Sequence, residues 1–259
     1  MNTAAIVSKI DSLPAYKLVY EAIEELIVSG ELPTGSLLPI EGDLAQQFGV
    51  NRSTIREGIR LLEQSGLVER AAAKRLAVSR PPLDRLASRA GRALLLHQVT
   101  FSELWETLMA IEPATAGLAA ARATDEMISR LSRNLEQMKG SEGRLERFIK
   151  LDVEFHDLIA EAANNRAMTL ARESSSLLIL PSGVLILPKL KTYKRVIDIH
   201  GLVLKAVKKH DAEEATKQMR RHLADFKRGY ELAGFRPDET LVGAVQNQKK
   251  RNTGRTVSK

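Results

Sequence analysis

Cysteine is absent from this chain of 259 residues. Without cysteine the protein has no disulfide framework and no zinc–thiolate site, which agrees with a reducing cytoplasm. The sequence also lacks a run of about 18 apolar residues that would suggest a membrane span, and residues 1–10 show no signal peptide. We therefore expect a cytoplasmic protein that does not enter a membrane and is long enough to fold as two domains.

Positive charge is in excess, but it is concentrated in two places. The formal net charge is +7, yet residues 1–80 carry nine basic and ten acidic side chains. Residues 51–80 hold seven basic against three acidic side chains, and residues 249–259 hold five basic side chains and no acid. Electrostatics thus favour nucleic-acid binding through a local patch rather than through bulk charge. The basic C-terminus predicts a disordered tail, either a phosphate-binding arm or a solubilising end.

Residues 39–69 have the pattern of a helix-turn-helix. Apolar spacing predicts a helix over residues 41–48, Gly49 can take the positive φ that ends it, and Asn51 is a good N-cap for the next helix. That next helix, over residues 52–64, has basic and hydroxyl side chains near its N-terminus, from where a recognition helix reaches base edges. Its predicted DNA-binding residues are Arg52, Ser53, Thr54 and Arg56. The alternative is a solvated, charge-laced helix in an ordinary helical domain.

The segment that follows predicts a β-hairpin. Residues 66–70 and 76–79 are short runs with β character, and the connection between them contains Lys74 and Arg75. Basic side chains at the tip of a hairpin can lie along DNA phosphates, so these two are also predicted DNA-binding residues. Together with an upstream amphipathic helix, the pattern predicts a winged helix-turn-helix of three helices and a β-hairpin.

Proline marks a boundary after this module. Pro81-Pro82 breaks both helix and strand, and the sequence beyond is almost wholly helical in pattern. The expected fold class is mainly α, a winged helix followed by an antiparallel α-helical bundle. The predicted segments are a DNA-binding domain (1–80), a linker with the start of the helical domain (81–98), the all-helical domain (99–235) and a disordered basic tail (236–259). Residues 177–190, an apolar run with two prolines, fit either a broken helix or an irregular link.

Three histidines and one acid lie on helix faces that are otherwise apolar. Asp152 and His156 are four residues apart on one predicted helix, and His200 and His222 lie on two later ones. Burial of these groups is costly unless they are paired or bind a cation, and such a set suits Zn, Ni, Mn or Fe(II). The residues alone leave a second possibility, an Asp–His hydrogen-bonded pair beside histidines that are satisfied in the core.

The first third of the chain resembles the GntR family of bacterial transcription regulators. The resemblance covers nearly every residue from 13 to 79 and is carried by the motifs Gly30-Glu31-Leu32-Pro33-Thr34-Gly35-Ser36-Leu37-Leu38-Pro39, Phe48-Gly49-Val50-Asn51-Arg52-Ser53-Thr54-Ile55-Arg56-Glu57 and Gly66-Leu67-Val68. It implies a winged helix that reads DNA. Two departures affect DNA contacts: Gly42 stands where the family usually has arginine, and the wing tip lacks the expected glycines, having Ala73 and Arg75.

The second half resembles the FCD domain, the ligand-binding domain of the FadR branch of that family. The matching motifs are Asp152-Val153-Glu154-Phe155-His156, Ala162-Ala163-Asn164-Asn165, His200 and His222-Leu223. The resemblance implies that the aspartate and three histidines hold a divalent metal (Zn, Ni or Mn), which helps to anchor a small carboxylate effector. Leu108 replaces an arginine that is common in the family and could meet that carboxylate. Three alternatives follow: a less acidic effector, an effector held by the metal and by Arg122 or Arg166, or the use of a different pocket.

We therefore predict a sequence-specific DNA-binding transcriptional regulator, a repressor and not an enzyme, that binds a palindromic operator as a homodimer. Control by the effector requires that it bind the DNA-competent and DNA-incompetent arrangements with different affinity. Two other functions fit parts of the sequence. One is a metal-dependent enzyme that activates water at the Asp/His site; the other is an architectural protein that binds DNA without sequence preference.

Overall fold

The structure is a computed structural model that describes residues 13–71, 75–179, 182–241 and 243. It divides the chain into two compact units, residues 1–82 and 83–259.

The first unit is a winged helix-turn-helix. Its described elements are the helices α1 (Ala15–Ser29), α2 (Glu41–Phe48) and α3 (Arg52–Ser65) and the antiparallel strands β1 (Val68–Arg70) and β2 (Leu76–Val78). An isolated bridge joins Leu37 to Ala77 beside these strands. All of the elements share one hydrophobic cluster: Val19, Ile23, Leu38, Leu44, Ile55, Ile59, Leu62, Val68 and Val78. The predicted fold of this unit is confirmed, with strands slightly shorter than the sequence pattern suggested.

Local sequence signals set the ends of α2 and α3. Gly49 ends α2 with φ of 65° and Gly66 ends α3 with φ of 81°, a left-handed conformation that glycine adopts without steric cost. Asn51 caps α3, because its Oδ1 accepts a hydrogen bond of 2.8 Å from the backbone N–H of Thr54. The turn between α2 and α3 is therefore determined by residues within it.

The second unit is an assembly of helices, as the sequence predicted. Its described helices are α4 (Leu83–Leu96), α5 (Phe101–Arg122), α6 (Asp125–Lys139), α7 (Leu145–Ala162), α8 (Arg166–Ile179), α9 (Gly183–Leu190), α10 (Tyr193–Lys208) and α11 (Ala212–Leu232). Helix α5 packs on α7, α8, α10 and α11, and α4 packs on α8. A capping box between Thr100 and Glu103 begins α5, and Asp211 caps α11 through the backbone N–H of Glu214.

The sequence left the structure of residues 177–190 open and predicted disorder from residue 236 onward. The apolar run 177–190 contains the end of α8 and the short helix α9, with Pro188 near its C-terminal end. The first residues of the predicted disordered tail are packed: Ser102 N–H donates to the carbonyl of Pro237 at 2.8 Å, and Leu241 is buried. The prediction of disorder was therefore wrong for residues 236–241, because these residues cover the apolar start of α5; residues 244–259 lie outside the described part.

No single helix among the described residues is both long and apolar enough to cross a bilayer. Only α8 and α9 taken together reach that length and composition, and they are bent by 53° relative to each other.

Gly58 allows α3 to approach α1 closely, which makes it a test of the first unit's packing. A Cβ at this position would lie 2.9 Å from Cγ1 of Val19 and 3.1 Å from the carbonyl oxygen of Tyr16. Alanine gains about 1 kcal/mol over glycine in a helix interior, but overpacking costs typically 1–3 kcal/mol. We expect Gly58→Ala to lower the free energy of unfolding, measured by urea titration with circular dichroism.

Gly201→Ala in α10 is the matched control for this substitution. The nearest atom to its added Cβ is Cδ2 of Leu135 at 3.8 Å, an ordinary contact. The control should be neutral or stabilising by up to about 1 kcal/mol. Stabilisation by both substitutions would contradict the close approach of α1 and α3.

Candidate functional site

The N-terminal end of α3 presents the side chains expected of a DNA-reading helix. Arg52, Ser53 and Arg56 are exposed, and Thr54 is half-buried. The hydroxyls of Ser53 and Thr54 both donate to Asn51 Oδ1, at 2.6 and 2.9 Å. The opposite face of α3 is buried through Ile55, Gly58, Ile59 and Leu62. The helix is thus anchored on one side and offers guanidinium and hydroxyl groups on the other.

The arginines of α3 differ in how far neighbouring acids neutralise them. Arg56 Nε lies 2.7 Å from Glu41 of α2, and Arg60 is paired with Glu57. Arg52 makes no ion pair or hydrogen bond with any described residue. Its guanidinium instead lies over the bare backbone of Gly42, where an added Cβ would be 3.2 Å from Nη2. Arg52 is therefore the α3 arginine whose hydrogen-bonding groups remain open to a ligand such as DNA.

The wing residues are only partly described. Lys74 lies outside the described residues. Arg75 is half-buried, and its Nη2 donates to the carbonyl of Leu38 at 3.0 Å, which fixes the base of the wing to the segment before α2. Its role in DNA binding stays a prediction, and the contact with Leu38 gives this side chain a structural role as well.

The structure brings the four predicted metal ligands together inside the helical unit. Asp152 and His156 come from α7, His200 from α10 and His222 from α11, and one ligand atom of each lies within 4.8 Å of the others. The Nε2 atom of His222 lies 3.1 Å from that of His156 and 3.4 Å from that of His200. The Nε2 atom of His200 lies 3.6 Å from Asp152 Oδ1. All three histidines are buried.

These distances are compatible with ligands that share one metal ion. Bonds of about 2.1 Å from a metal separate neighbouring ligands by about 3.0 Å in an octahedron and about 3.4 Å in a tetrahedron. Asp152 Oδ1, which lies 3.6 Å from His200 Nε2, is buried and has no hydrogen-bond partner among the described residues. Such an orphaned polar atom is costly in a core unless something else binds it. Three imidazole nitrogens and one carboxylate oxygen therefore form a chemically suitable cation site.

Burial favours the neutral forms of three members of this cluster, Asp152, His200 and His222. It raises the pKa of Asp152 to about 6. It also lowers the pKa of His222 to about 3, assisted by the positive charge of His156, and holds the pKa of His200 well below its ordinary value. His200 and His222 are therefore neutral near pH 7, and neutral imidazole is the form that binds a metal.

A buried ionic network supports the cluster from the side of α5 and α8. His156 Nδ1 lies 2.6 Å from Glu112 Oε2, and the other oxygen of Glu112 accepts a hydrogen bond of 3.0 Å from Arg172 Nε. Both Nη atoms of Arg172 donate to Asp157 Oδ1 at 2.9 Å. Arg172 and Glu112 are 1% and 3% exposed, so their charges are compensated by each other and by these neighbours.

Glu112 determines which nitrogen of His156 faces the cluster. Burial by itself would raise the pKa of Glu112, but the charge and hydrogen bond of His156, together with Arg172, lower it to about 2. Burial opposes the charged form of His156 as well, yet the Glu112 carboxylate outweighs it and raises the pKa of this histidine. A carboxylate behind one ring nitrogen keeps the proton there and turns the other nitrogen towards a metal.

A cavity of about 80 Å³ lies beside the histidine cluster, and Asp152 and His222 line it. The arginine that lines this cavity is Arg195 of α10. It is not one of the two arginines, Arg122 and Arg166, that the sequence predicted to bind an effector. Arg122 instead donates to the carbonyl of Ala163 at 2.8 Å, and Arg166 is exposed at the start of α8. Neither Arg122 nor Arg166 lines this cavity, and their contact with an effector stays a prediction.

Arg172 and Asp157 were not among the residues predicted from the sequence. Arg172 occupies the buried stripe of α8 with Ser175, Ser176 and Ile179. These residues recur at helical spacing, but three of the four are polar. Apolar periodicity in the sequence therefore does not reveal this buried face.

Two protein-family models match the chain. The model described as bacterial regulatory proteins, gntR family, matches residues 15–78, and the FCD domain model matches residues 103–225. The first match covers the winged helix, and the second begins in α5 and ends in α11, so it includes all four residues of the histidine cluster.

Individual proteins agree with these models. The chain is 31% identical to the HTH-type transcriptional repressor NanR of Cronobacter sakazakii, over 80% of this chain and 82% of the relative. It is 29% identical to NanR of Escherichia coli K12, over 80% of this chain and 81% of that relative. Among solved structures, Streptococcus agalactiae GntR matches with a TM-score of 0.58 and 25% identity, covering 82% of this chain and 99% of that one.

The buried network predicts a large stability cost for loss of Arg172. Arg172→Met removes the cation that compensates Glu112 and should lower the free energy of unfolding by about 3–5 kcal/mol, since breaking a buried pair leaves an uncompensated charge. Urea unfolding measures this change. Arg166→Met, an exposed position in the same helix, is the control and should fall within about 0.5 kcal/mol of the wild type. Equal stabilities of the two variants would contradict the network.

Proposed function

This chain belongs to the gntR family of bacterial transcription regulators, with an FCD domain after its winged helix, and we propose that it is a metal-containing repressor released from DNA by a small carboxylate. Its function as a DNA-binding regulator, rather than an enzyme, follows from that membership. The observation that carries the proposed control is the convergence of Asp152 and three histidine nitrogens beside a cavity. A regulator acts where the chromosome is, so we place it in the cytoplasm.

We propose that α3 reads the operator in the major groove. Arg52 and Arg56 are suited to bidentate contacts with guanine, and Ser53 and Thr54 to bases or phosphates once their hydroxyls leave Asn51. Lys74 and Arg75 of the wing would add phosphate contacts. A single α3 spans few base pairs, which favours a homodimer whose two recognition helices bind the halves of a palindrome.

We propose that Asp152, His156, His200 and His222 hold a divalent metal such as Zn, Ni or Mn. The metal would supply an electrophilic centre for a carboxylate oxygen. The protein's own contribution is to keep His200 and His222 neutral by burial and to orient His156 through Glu112. A small carboxylate that binds the DNA-competent and DNA-incompetent states with different affinity would then shift the balance between them.

The proposed role of α3 can be tested with three variants in gel-shift assays on an operator selected from random DNA. Arg52→Ala and Arg56→Ala should each weaken specific binding about tenfold to a hundredfold, since a bidentate base contact contributes about 1–3 kcal/mol. Glu41→Gln should leave affinity unchanged or raise it, because it removes the acid that neutralises Arg56. Unchanged affinity in both arginine variants would show that α3 does not read the operator.

The proposed metal site can be tested by elemental analysis of purified protein. Wild-type protein should contain close to one equivalent of a divalent metal, and His156→Ala/His200→Ala should lose it. His210→Ala is the control, because His210 binds the carbonyl of Ala120 and lies outside the cluster. Equal metal content in the wild type and the double variant would refute the site.

A further inference from the structure

We infer that the effector is a small monocarboxylate with a compact apolar body, bound in the cavity beside Asp152 and His222, where Arg195 binds its carboxylate together with the proposed metal site. This inference rests on the proposed function, because it names the class of effector that the same domain binds.

The walls of the cavity are chiefly apolar, which defines the body of the ligand. They include Phe148, Ile149, Ile186, Leu187, Val196 and Phe226, from four different helices. The polar lining residues are Thr192, Asp152, Arg195, His222 and Asp225. A ligand hydroxyl placed against the apolar walls, away from these residues, would lose its hydrogen bonds to water without replacement. A hydrocarbon body gains binding free energy with each CH₂ group it buries. The walls therefore favour a hydrocarbon body over a polyhydroxylated one.

The size of the cavity limits that body to a few carbons. Its volume is about 80 Å³, compared with about 150 Å³ for an engineered apolar cavity that binds benzene. Two glycines bring the walls together: a Cβ at Gly183 would lie 2.6 Å from Cδ1 of Ile149, and one at Gly229 would lie 3.2 Å from Cγ2 of Ile186. A short branched chain is the shape that this space accommodates.

Arg195 supplies the positive charge for the carboxylate. Its Nε and Nη2 donate to a single oxygen, Asp225 Oδ2, at 2.9 and 2.6 Å. Its Nη1 has no hydrogen-bond partner among the residues that the structure describes. Asp225 thus orients the guanidinium while leaving its other edge available, and the Nη1–Nη2 edge has the fork geometry that binds carboxylates.

The position of this ion pair links the carboxylate to the histidine cluster. Asp225 follows His222 by three residues on α11, which is about 4.5 Å along the helix axis. Arg195 is 51% exposed and Asp225 is 32% exposed, so the pair lies at the open side of the cavity. An exposed pair contributes little to stability, so a ligand carboxylate can share or replace it at small cost.

Two acids with the same number of non-hydrogen atoms test this inference: isovalerate, with a branched hydrocarbon body, and glycerate, with two hydroxyls. Each is titrated into the full-length protein loaded with zinc, by calorimetry and by release from the selected operator. Isovalerate should bind with a Kd at least tenfold lower than that of glycerate and should weaken operator binding. Glycerate chelates metals through its hydroxyls, so it would bind more tightly if the metal alone selected the ligand.

Matched substitutions test the two ends of the ligand. Arg195→Met should raise the Kd for isovalerate at least tenfold, and Arg195→Lys should recover part of the loss because it restores the charge. Arg236→Met is the control, since Arg236 forms a similar exposed pair with Asp238 outside the cavity. Val196→Thr keeps the volume of the wall but adds a hydroxyl. It should therefore reduce the ratio of the Kd for glycerate to the Kd for isovalerate.

Glycerate binding as tightly as isovalerate would overturn the apolar body, and unchanged binding in Arg195→Met would overturn the role of Arg195. A protein that binds zinc and its operator but neither acid would refute this inference and leave the proposed function standing. A protein that binds no metal, or no specific operator, would refute both.

Discussion

The compensation of buried charge around Arg172 is the constraint on which the helical unit depends. Arg172 and Glu112 are almost fully buried, so each charge is tolerable only in contact with the other. Their contacts join α5, α7 and α8, and Glu112 extends the network to His156. The network that joins these three helices therefore also orients His156, one of the proposed metal ligands. The same contacts stabilise the helical unit and shape the proposed metal site.

This network also lies next to the helix that follows the DNA-binding unit. Helix α8, which carries Arg172, packs on α4, and α4 begins directly after Pro82. A Cβ at Gly91 of α4 would lie 3.8 Å from Leu178 and from the carbonyl of Ser174, both in α8. Helix α8 therefore packs both on α4, the first helix of this unit, and on α5, which carries Glu112.

The arginines of α3 in the DNA-binding unit differ in how many of them are paired with an acid. Arg56 and Arg60 are partly neutralised by Glu41 and Glu57, whereas Arg52 has no partner among the described residues. The absence of a side chain at Gly42 gives the Arg52 guanidinium its place against the backbone. An arginine at that position would compete for this space, so the departure from the family pattern bears on how Arg52 is presented to DNA.

The sequence by itself determined the winged helix, the helical second unit and the four residues of the histidine cluster as candidates. Its signals there are local: Gly49 and Asn51 specify a turn within a few residues, and apolar periodicity marks the buried face of each helix. Only the tertiary structure decided which faces meet. It paired Arg172 with Glu112, 60 residues away, and placed Arg195, rather than Arg122 or Arg166, at the cavity. Helical periodicity reports that a side chain points inward, but its partner depends on how the helices pack.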